Sequence, residues 1–570
     1  MQSQISKFWI RFTTLGVALL SLLFLFRLYN LQVVNHDSFE DLSSRQQYSL
    51  YSNNQNRGSI IFKYRNGDDF FAATNKTGYT LEINPQIIKN PEDTYNILSS
   101  IIELNQDDYF QKANKEDDNS EILTKRIDIK TAEKILDLDL QGVILSKEKW
   151  RFYPGKELAA QVLGFQSYKG DSTEIEGRYG LERYYDDILS IDDSSVFKNF
   201  FVEIFSGIEK NFESEDLEGS LISTIEPNVQ TFTEEVIYQV EEKWSSKRTG
   251  AIVMNPNTGE IYAMALNPSF DVNEFSMEDS VSIFNNDLVE GIYEMGSIIK
   301  PLTVAIGLDT NTITSETTYD DKGFLTLNTE TIYNYDKRGR GVVNMQEVLN
   351  QSLNTGVAFI ASEVGNKVFS DYMKRLIGDK SGIDLPNEVN PQVANLDSPR
   401  DIEHATASYG HGIAMSPVQV IRGLAALGNG GELVSPHIIK SVKYDLGEEK
   451  NKAPKKKERI FKESTSEEIS RMLTRVVDEA LMNGTVALPN YSIAAKTGTA
   501  LVTDQVDGGY YDDRYLHTFF GYFPSYDPQF IILLYTIEPK DVLYASHTLT
   551  TPFMDLVKYL INYYEIEPDR

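Results

Sequence analysis

The chain contains 570 residues and no cysteine, and its 54 basic and 84 acidic side chains give a formal net charge of −30. The absence of cysteine excludes disulfide frameworks, thiolate nucleophiles, iron–sulfur clusters and cysteine-ligated zinc. The acidic balance argues against a broad nucleic-acid-binding surface, which needs basic side chains.

The first element along the chain is an apolar segment near the N-terminus. Residues 12–26 carry no charge and lie between Arg11 and Arg27, and further apolar residues follow. Because a bilayer span needs about 20 residues, we expect a transmembrane signal anchor over 12–34. A cleaved signal peptide is the alternative, although the small-residue cleavage pattern is missing. The positive-inside rule then predicts a short cytoplasmic tail over 1–11, a single-pass protein of the cell membrane and an exported remainder.

Residues 35–215 are polar and mixed in pattern, which predicts an α+β domain. Tracts such as NQNRGSIIF and FFAATNKTGYTLEI alternate like strands, whereas KTAEKILDLDL has a helical pattern.

Residues 216–570 predict a second domain of α/β class. An amphipathic helix begins near Glu226–Pro227, and GAIVMNPNTGEIYAMAL indicates two strands joined by a turn. Two more strands are predicted within 517–539, whereas the charged stretch 447–461 is predicted to be a solvated loop. Helices flank strands at both ends of this region, which favours a layered sheet with helices around it.

Within this domain, Ser297-Ile298-Ile299-Lys300 places a serine and a lysine three residues apart. On a helix these two side chains share one face, and a lysine that loses its proton can act as a base towards the hydroxyl. The spacing alone is weak, because about two or three such matches are expected by chance in a chain of this length. Two others occur, Ser146 to Lys149 and Ser195 to Lys198.

Two further motifs follow in the chain. Ser352-Leu353-Asn354 by itself is equally well explained as a helix N-cap. Lys496-Thr497-Gly498-Thr499 is rarer, and it lies in a strand-like context where the glycine permits close approach of a substrate backbone. The ordered set SxxK, SxN, KTGT is the strong signal.

With these motifs the sequence resembles the penicillin-binding protein and serine β-lactamase superfamily, and most closely a class B penicillin-binding protein of the septal branch. The segments 151–165, 177–189, 250–271 and 408–431 also resemble that family. Met295 stands where the family has proline, and Leu353 stands where it has serine. The resemblance implies a transpeptidase fold with an antiparallel sheet flanked by helices over 216–570, and a pedestal (dimerisation) domain over 35–215.

The resemblance also implies the role of each motif residue. Ser297 is the implied nucleophile towards the penultimate D-alanine carbonyl of a stem peptide, Lys300 its general base, and Ser352 the proton relay. The backbone N–H groups of Ser297 and Thr499 are the implied oxyanion hole. The implied substrate-binding residues are Asn354, Lys496, Thr497, Gly498 and Thr499.

The resemblance implies a peptidoglycan D,D-transpeptidase with no metal or other cofactor, and no catalytic role is assigned to His411 or His517. Expected partners are peptidoglycan stem peptides, β-lactams as inhibitors, a SEDS-type membrane glycosyltransferase and divisome proteins. Two other functions stay open at this point. One is hydrolysis on the same scaffold, as a D,D-carboxypeptidase or β-lactamase, and the other is a non-catalytic scaffold or antibiotic sensor.

Overall fold

The computed structural model describes residues 57–115, 117–170, 175–190, 219–444, 448–452, 454, 458–504 and 508–570. The predicted cytoplasmic tail, the predicted anchor over 12–34 and the predicted domain boundary at 215/216 lie outside these residues. None of the helices that the structure describes is both long enough and apolar enough to cross a bilayer.

The chain divides into two compact units. The described part of the smaller unit is 75–151, and the larger unit comprises 57–74 together with 152–570 in its described parts. The strand Asp69–Ile83 contributes residues to both units.

The smaller unit has an α+β core. The later part of the strand Asp69–Ile83 pairs with the antiparallel strand Glu121–Ile127. The strand Val143–Phe152 also pairs with Asp69–Ile83. Its helices are Pro91–Ser99, Gln106–Ala113 and Ile129–Leu136. Each helix begins after an Asn or Asp side chain that accepts a hydrogen bond from a first-turn N–H, which satisfies a donor that the helix itself cannot.

The first strands of the larger unit form a sheet from distant parts of the chain. Ile60–Lys63 pairs antiparallel with the start of Asp69–Ile83 and parallel with Gly219–Ser223. Gly219–Ser223 then pairs with Ile439–Tyr444, which pairs with Glu449–Asn451. The stretch predicted as a solvated loop over 447–461 therefore contains a strand, because residues outside the stretch supply its pairing partner.

A five-stranded antiparallel sheet forms the centre of the larger unit. Its strand order is Ala494–Thr503, Tyr510–Phe523, Phe530–Ile537, Arg248–Met254 and Ile261–Asn267. Alternate side chains enter two separate cores, one on each face, which is why Phe530–Ile537 is an almost continuous apolar run. The helices Pro227–Trp244 and Ala545–Tyr564 cover one face, and Lys300–Asp309 packs into the core of the other.

The remaining elements of the larger unit surround this sheet. Its other helices are Ala160–Leu163, Gly180–Tyr184, Asp186–Leu189, Asp287–Glu290, Met345–Asn350, Asn354–Val364, Asn366–Ile377, Asp401–Ala407, Pro417–Ala425 and Glu463–Arg475. Its other strand pairs are Gln166–Tyr168 with Ile175–Gly177, Thr318–Asp321 with Gly341–Asn344, Phe324–Leu327 with Glu330–Tyr333, and Glu432–Leu433 with Glu458–Arg459. Short 3-10 turns are Val272–Met277, Val281–Phe284, Gly296–Ile299, Ala394–Asp397 and Leu481–Gly484, and Val476–Ala480 is a π-helical turn.

A buried ion-pair network lies at the start of the larger unit. The Arg57 guanidinium bonds to Glu182 at 2.6 Å and to Asp186 at 2.8 Å, and Glu182 is fully buried. The Tyr153 hydroxyl donates to the other Glu182 oxygen at 3.3 Å. Removing the cation would leave a buried carboxylate without its charge partner, which is far more costly than losing a surface pair.

We expect Arg57→Met to lower the free energy of unfolding by about 3–5 kcal/mol. The matched control is Arg475→Met, which removes an exposed pair with Glu479 and should change the free energy of unfolding by less than about 1 kcal/mol. Urea denaturation of the two purified variants checks this. Equal shifts of the unfolding midpoint would contradict the assignment of the Arg57 network as a structural anchor.

Candidate active site

Ser297 lies at the entry to a buried helix. A single 3-10 turn, Gly296–Ile299, leads directly into Lys300–Asp309, so Ser297 begins a helical segment as predicted. Pro301 occupies the first turn, where its missing N–H has no intrahelical partner to lose. Ser297 is half-buried, and among the described residues its hydroxyl has no hydrogen-bond partner.

The Lys300 side chain is fully buried and is directed to the SxN motif. Its amine donates to the Ser352 hydroxyl at 3.1 Å and to the Ser352 backbone carbonyl. Within the described residues it makes no hydrogen bond to Ser297, so the partner expected for this lysine from the helical spacing is replaced by Ser352. This Lys300–Ser352 contact joins two motifs that are 52 residues apart in the chain.

Ser352 has a backbone conformation that is unusual for a residue other than glycine. Its φ is +55°, and the following Leu353 occupies the N-cap position of the helix Asn354–Val364. Ser352 is therefore not the helix N-cap, which removes that explanation of the motif. Strain of this kind is held only where the surrounding structure fixes it, and it directs the Ser352 carbonyl and hydroxyl to the lysine. Asn354 donates its amide N–H to the Tyr333 carbonyl at 2.8 Å.

The KTGT motif lies on the edge strand of the central sheet, Ala494–Thr503. Lys496 is buried and donates to the Thr497 carbonyl at 3.0 Å, whereas Thr497 and Thr499 are half-buried. The Thr499 hydroxyl accepts the N–H of Ala545, the first residue of the C-terminal helix, at 3.1 Å. The outer side of an edge strand leaves backbone groups available to an extended peptide.

Gly498 allows this strand to pack directly against the serine turn. A side-chain carbon at this position would lie 2.9 Å from the Met295 carbonyl oxygen and 2.3 Å from the Thr518 hydroxyl. The Thr518 hydroxyl in turn donates to the Met295 carbonyl at 3.0 Å. Glycine is therefore required for contact between the strand and the turn, so the structure brings Ser297 and the backbone of Gly498 and Thr499 into one site.

Burial controls the charge of the two lysines. Desolvation lowers the pKa of the Lys300 amine well below its ordinary value, and the positive charge of Lys496 lowers it further. Burial also lowers the pKa of Lys496, to about 8. The low pKa favours the neutral form of the Lys300 amine, which has two N–H donors and one lone pair. The carbonyl and the hydroxyl of Ser352 supply two acceptors for this amine.

The other SxxK pair that the structure describes lacks the helical geometry of Ser297 and Lys300. Ser146 and Lys149 lie on the strand Val143–Phe152, where residues three apart point to opposite faces. The pair Ser195 and Lys198 lies outside the described residues. His517 is buried, with its ring nitrogens on the Thr548 hydroxyl at 2.9 Å and the Leu543 carbonyl at 3.2 Å, so both ring positions are engaged in packing. Throughout the described part of the chain, no cluster of His, Asp or Glu has the arrangement of a metal site.

Three residues that sequence reasoning did not select also border the site. Gly410 contacts Gly296, and its carbonyl accepts the Gly296 N–H at 3.3 Å. His411 lies close enough to Lys300 for the lysine charge, added to burial, to lower its pKa to about 4. Glu294 accepts a hydrogen bond from Tyr510. The sequence signal for Glu294 is its position three residues before Ser297, and that for Gly410 and His411 is the segment 408–431, which resembles the family.

The arrangement is suited to acyl transfer through a serine ester. Such a reaction needs a hydroxyl nucleophile, a basic amine, a proton relay and a surface for the peptide, and the site offers a hydroxyl at a helix entry, a buried amine of low pKa, a second hydroxyl and an edge strand. The second lysine provides positive charge for an anionic substrate terminus.

Comparisons with known proteins agree with this chemistry. The model of the penicillin binding protein transpeptidase domain matches residues 249–557, and that of the penicillin-binding protein dimerisation domain matches 53–196. Stage V sporulation protein D of Bacillus subtilis is 28% identical, covering 87% of this chain and 76% of that protein. A peptidoglycan D,D-transpeptidase FtsI homolog of Mesostigma viride is also 28% identical, covering 99% of this chain and 96% of that protein.

Solved structures confirm the predicted transpeptidase fold. Penicillin binding protein 2X from Streptococcus thermophilus has a TM-score of 0.72 at 19% identity, covering 90% of this chain and 81% of that one. Penicillin binding protein 3 from Mycobacterium tuberculosis, complexed with aztreonam, has a TM-score of 0.68 at 20% identity, covering 90% and 98%.

The proximity of the two lysines predicts a specific change in pH dependence. Lys496→Gln removes the positive charge that helps to lower the pKa of Lys300, so the pKa of Lys300 should rise. The acidic limb of the rate of Ser297 acylation by benzylpenicillin should then move to higher pH. Thr497→Val, which changes a neighbouring side chain without changing charge, should leave the limb in place. If the acidic limb of Lys496→Gln stayed at the same pH or moved to lower pH, the charge of Lys496 would not lower the pKa of Lys300.

Proposed function

Because the chain belongs to the penicillin-binding protein transpeptidase family, we propose that it is a peptidoglycan D,D-transpeptidase that joins stem peptides through a serine ester. The Lys300–Ser352 contact is the observation that carries this assignment. This contact joins a buried amine of low pKa to a second hydroxyl, and acyl transfer through Ser297 needs both groups.

The first half-reaction follows from the positions of these groups. The lone pair of Lys300 takes the Ser297 proton while the Ser297 oxygen attacks the penultimate D-alanine carbonyl. The backbone N–H groups of Ser297 and Thr499 stabilise the resulting oxyanion. Ser352 passes the proton to the departing nitrogen, and terminal D-alanine leaves as the serine ester forms. An amine of a second stem peptide then displaces Ser297 and completes the cross-link.

Substrate binding involves the edge strand Ala494–Thr503 and the helix that begins at Asn354. The donor stem extends the sheet along the outer side of Ala494–Thr503, and Asn354 holds its amide from the opposite wall. The terminal carboxylate lies at Lys496, Thr497 and Thr499, while Gly498 lets the backbones approach. β-Lactams present an equivalent carboxylate and acyl group and therefore acylate the same serine.

The remaining parts of the proposal concern where the reaction takes place. The apolar segment 12–34 anchors the protein in the cell membrane with residues 1–11 in the cytoplasm and the transpeptidase domain outside. The protein acts in division-related wall synthesis, as the names of its FtsI-type relatives support. A SEDS-type glycosyltransferase and other divisome proteins are the proposed membrane partners.

Covalent labelling tests the acyl-enzyme. The exported portion should react with a fluorescent penicillin, and Ser297→Ala should abolish the label. Lys300→Ala should slow labelling by about 10²- to 10⁴-fold, the usual range for loss of a general base. The matched control Ser146→Ala, altered in the other described SxxK sequence, should label like the unmodified protein. Label that persists in Ser297→Ala would assign the wrong serine, and rapid release of the label would favour a β-lactamase.

Removal of residues 1–34 tests the location and the partners together. The full-length protein should sediment with membranes and co-purify with a multi-span glycosyltransferase, whereas the truncated protein should be soluble and still bind penicillin. Replacing residues 12–34 with an unrelated single-span helix separates the two effects, since it restores sedimentation by itself. A truncated protein that still sediments with washed membranes would contradict the anchor.

A further inference from the structure

A group of one glutamate and three aromatic residues lies beside the nucleophile and takes no part in the steps above. Its members are Glu294, Tyr409, His411 and Tyr510, here called the Glu294 cluster. The Tyr510 hydroxyl lies 3.0 and 2.9 Å from the two Glu294 carboxylate oxygens. The centroid of the His411 ring lies 5.1 Å from that of Tyr409 and 6.0 Å from that of Tyr510.

Backbone contacts fix this cluster next to Ser297. Only Met295 and Gly296 separate Glu294 from Ser297, so their α-carbons lie within roughly 11 Å of each other. The loop that carries His411 packs directly on Gly296, because a side-chain carbon on Gly410 would lie 2.4 Å from the Gly296 carbonyl oxygen. The cluster is open to solvent on one side, where Tyr510 is 41% exposed.

Within the described parts of the chain, no basic side chain pairs with the Glu294 carboxylate. Among the residues that the structure describes it forms no ion pair, and its carboxylate is held by the Tyr510 hydroxyl and faces the Gly412 N–H. Burial raises its pKa above the ordinary value for a glutamate, despite these two favourable contacts. A half-buried carboxylate without a cation is costly, which is typical of a group that receives a charged ligand.

The second half-reaction brings a suitable cation to this place. The positive charge of Lys496 suits an anionic donor terminus, but it repels the ammonium group that an acceptor stem peptide carries in water. An acceptor amine must therefore be held by an anion and must lose a proton before it can attack.

We propose that Glu294 binds the ammonium group of the acceptor stem peptide and removes one of its protons. This inference rests on the proposed transpeptidase function and adds a second binding position to the same site. The Tyr510 hydroxyl positions the Glu294 carboxylate, and the exposed side of the cluster is the path by which the acceptor enters.

The step balances without any further reactant. The acceptor ammonium gives one proton to the Glu294 carboxylate, and the free amine attacks the ester carbonyl on Ser297. A new carbon–nitrogen bond forms as the carbon–oxygen bond to Ser297 breaks. The nitrogen gives its second proton, through Lys300 and Ser352, to the departing Ser297 oxygen. The Glu294 carboxylic acid then returns its proton to water.

The test measures how much of one acyl-enzyme reacts with each of several competing nucleophiles. A peptide thioester donor whose side chains are uncharged forms the acyl-enzyme, which is offered water, methanol or the amine D-alanine. Glu294→Gln retains the size and hydrogen-bonding ability of the side chain but cannot carry negative charge. It should lower the aminolysis-to-hydrolysis ratio at least tenfold while leaving the methanolysis-to-hydrolysis ratio and benzylpenicillin acylation unchanged. Glu294→Asp should restore part of the aminolysis.

Glu290→Gln is the matched control. Glu290 is a half-buried glutamate four residues earlier whose carboxylate accepts from the Asn286 N–H and the Asn387 amide. Its variant should keep both ratios and the rate of benzylpenicillin acylation. An unchanged aminolysis ratio in Glu294→Gln would overturn the inference, as would an equal fall of aminolysis and methanolysis, since methanol brings no cation. If Glu294→Gln slowed formation of the acyl-enzyme and left the aminolysis-to-hydrolysis ratio unchanged, Glu294 would act on the donor peptide, and the inference would again be overturned. Failure of the unmodified protein to form any acyl-enzyme would instead refute the proposed function.

Discussion

The burial of the Lys300 amine is the constraint on which the rest of the site depends. No carboxylate pairs with this amine among the described residues, so burial lowers its pKa and favours its neutral form, whose N–H groups must still find acceptors. Ser352 supplies both acceptors, and its left-handed backbone conformation is the price of directing carbonyl and hydroxyl to one atom. Neutralisation of the lysine and strain at the serine are thus two parts of the same arrangement.

The central sheet determines which residues of the KTGT motif face the serine turn. Alternate residues of Ala494–Thr503 face opposite cores, so Lys496 and Gly498 point to the serine turn while Thr497 and Thr499 do not. Lys496 therefore adds its charge next to Lys300, and Gly498 leaves space for the turn. A shift of this strand by one residue would exchange these two sets, which is why register is as important here as residue identity.

Local patterns predicted the parts of this site that depend on neighbouring residues. The helix entry at Ser297, the helix after Glu226 and the turn after Met254 all follow from short-range rules, and the structure confirms them. Contacts over long separations were not predictable in this way. The partner of Lys300 comes from 52 residues away, and the partner of Glu294 comes from 216 residues away. The strand Glu449–Asn451 is a different case, because its partner Ile439–Tyr444 directly precedes it in the chain and the charged composition of the stretch favours a loop.

Charge within the site explains why a serine transferase needs both amines and a carboxylate. The donor terminus is anionic and the acceptor is cationic, so a site of one sign would favour one substrate and repel the other. Placing the two signs on different elements resolves this conflict, with Lys496 on the edge strand and Glu294 on the segment before the serine turn. Lys300, whose pKa is lowered by burial, transfers protons in both half-reactions. The two half-reactions are then electrostatically compatible, because Lys496 binds the anionic donor and Glu294 binds the cationic acceptor.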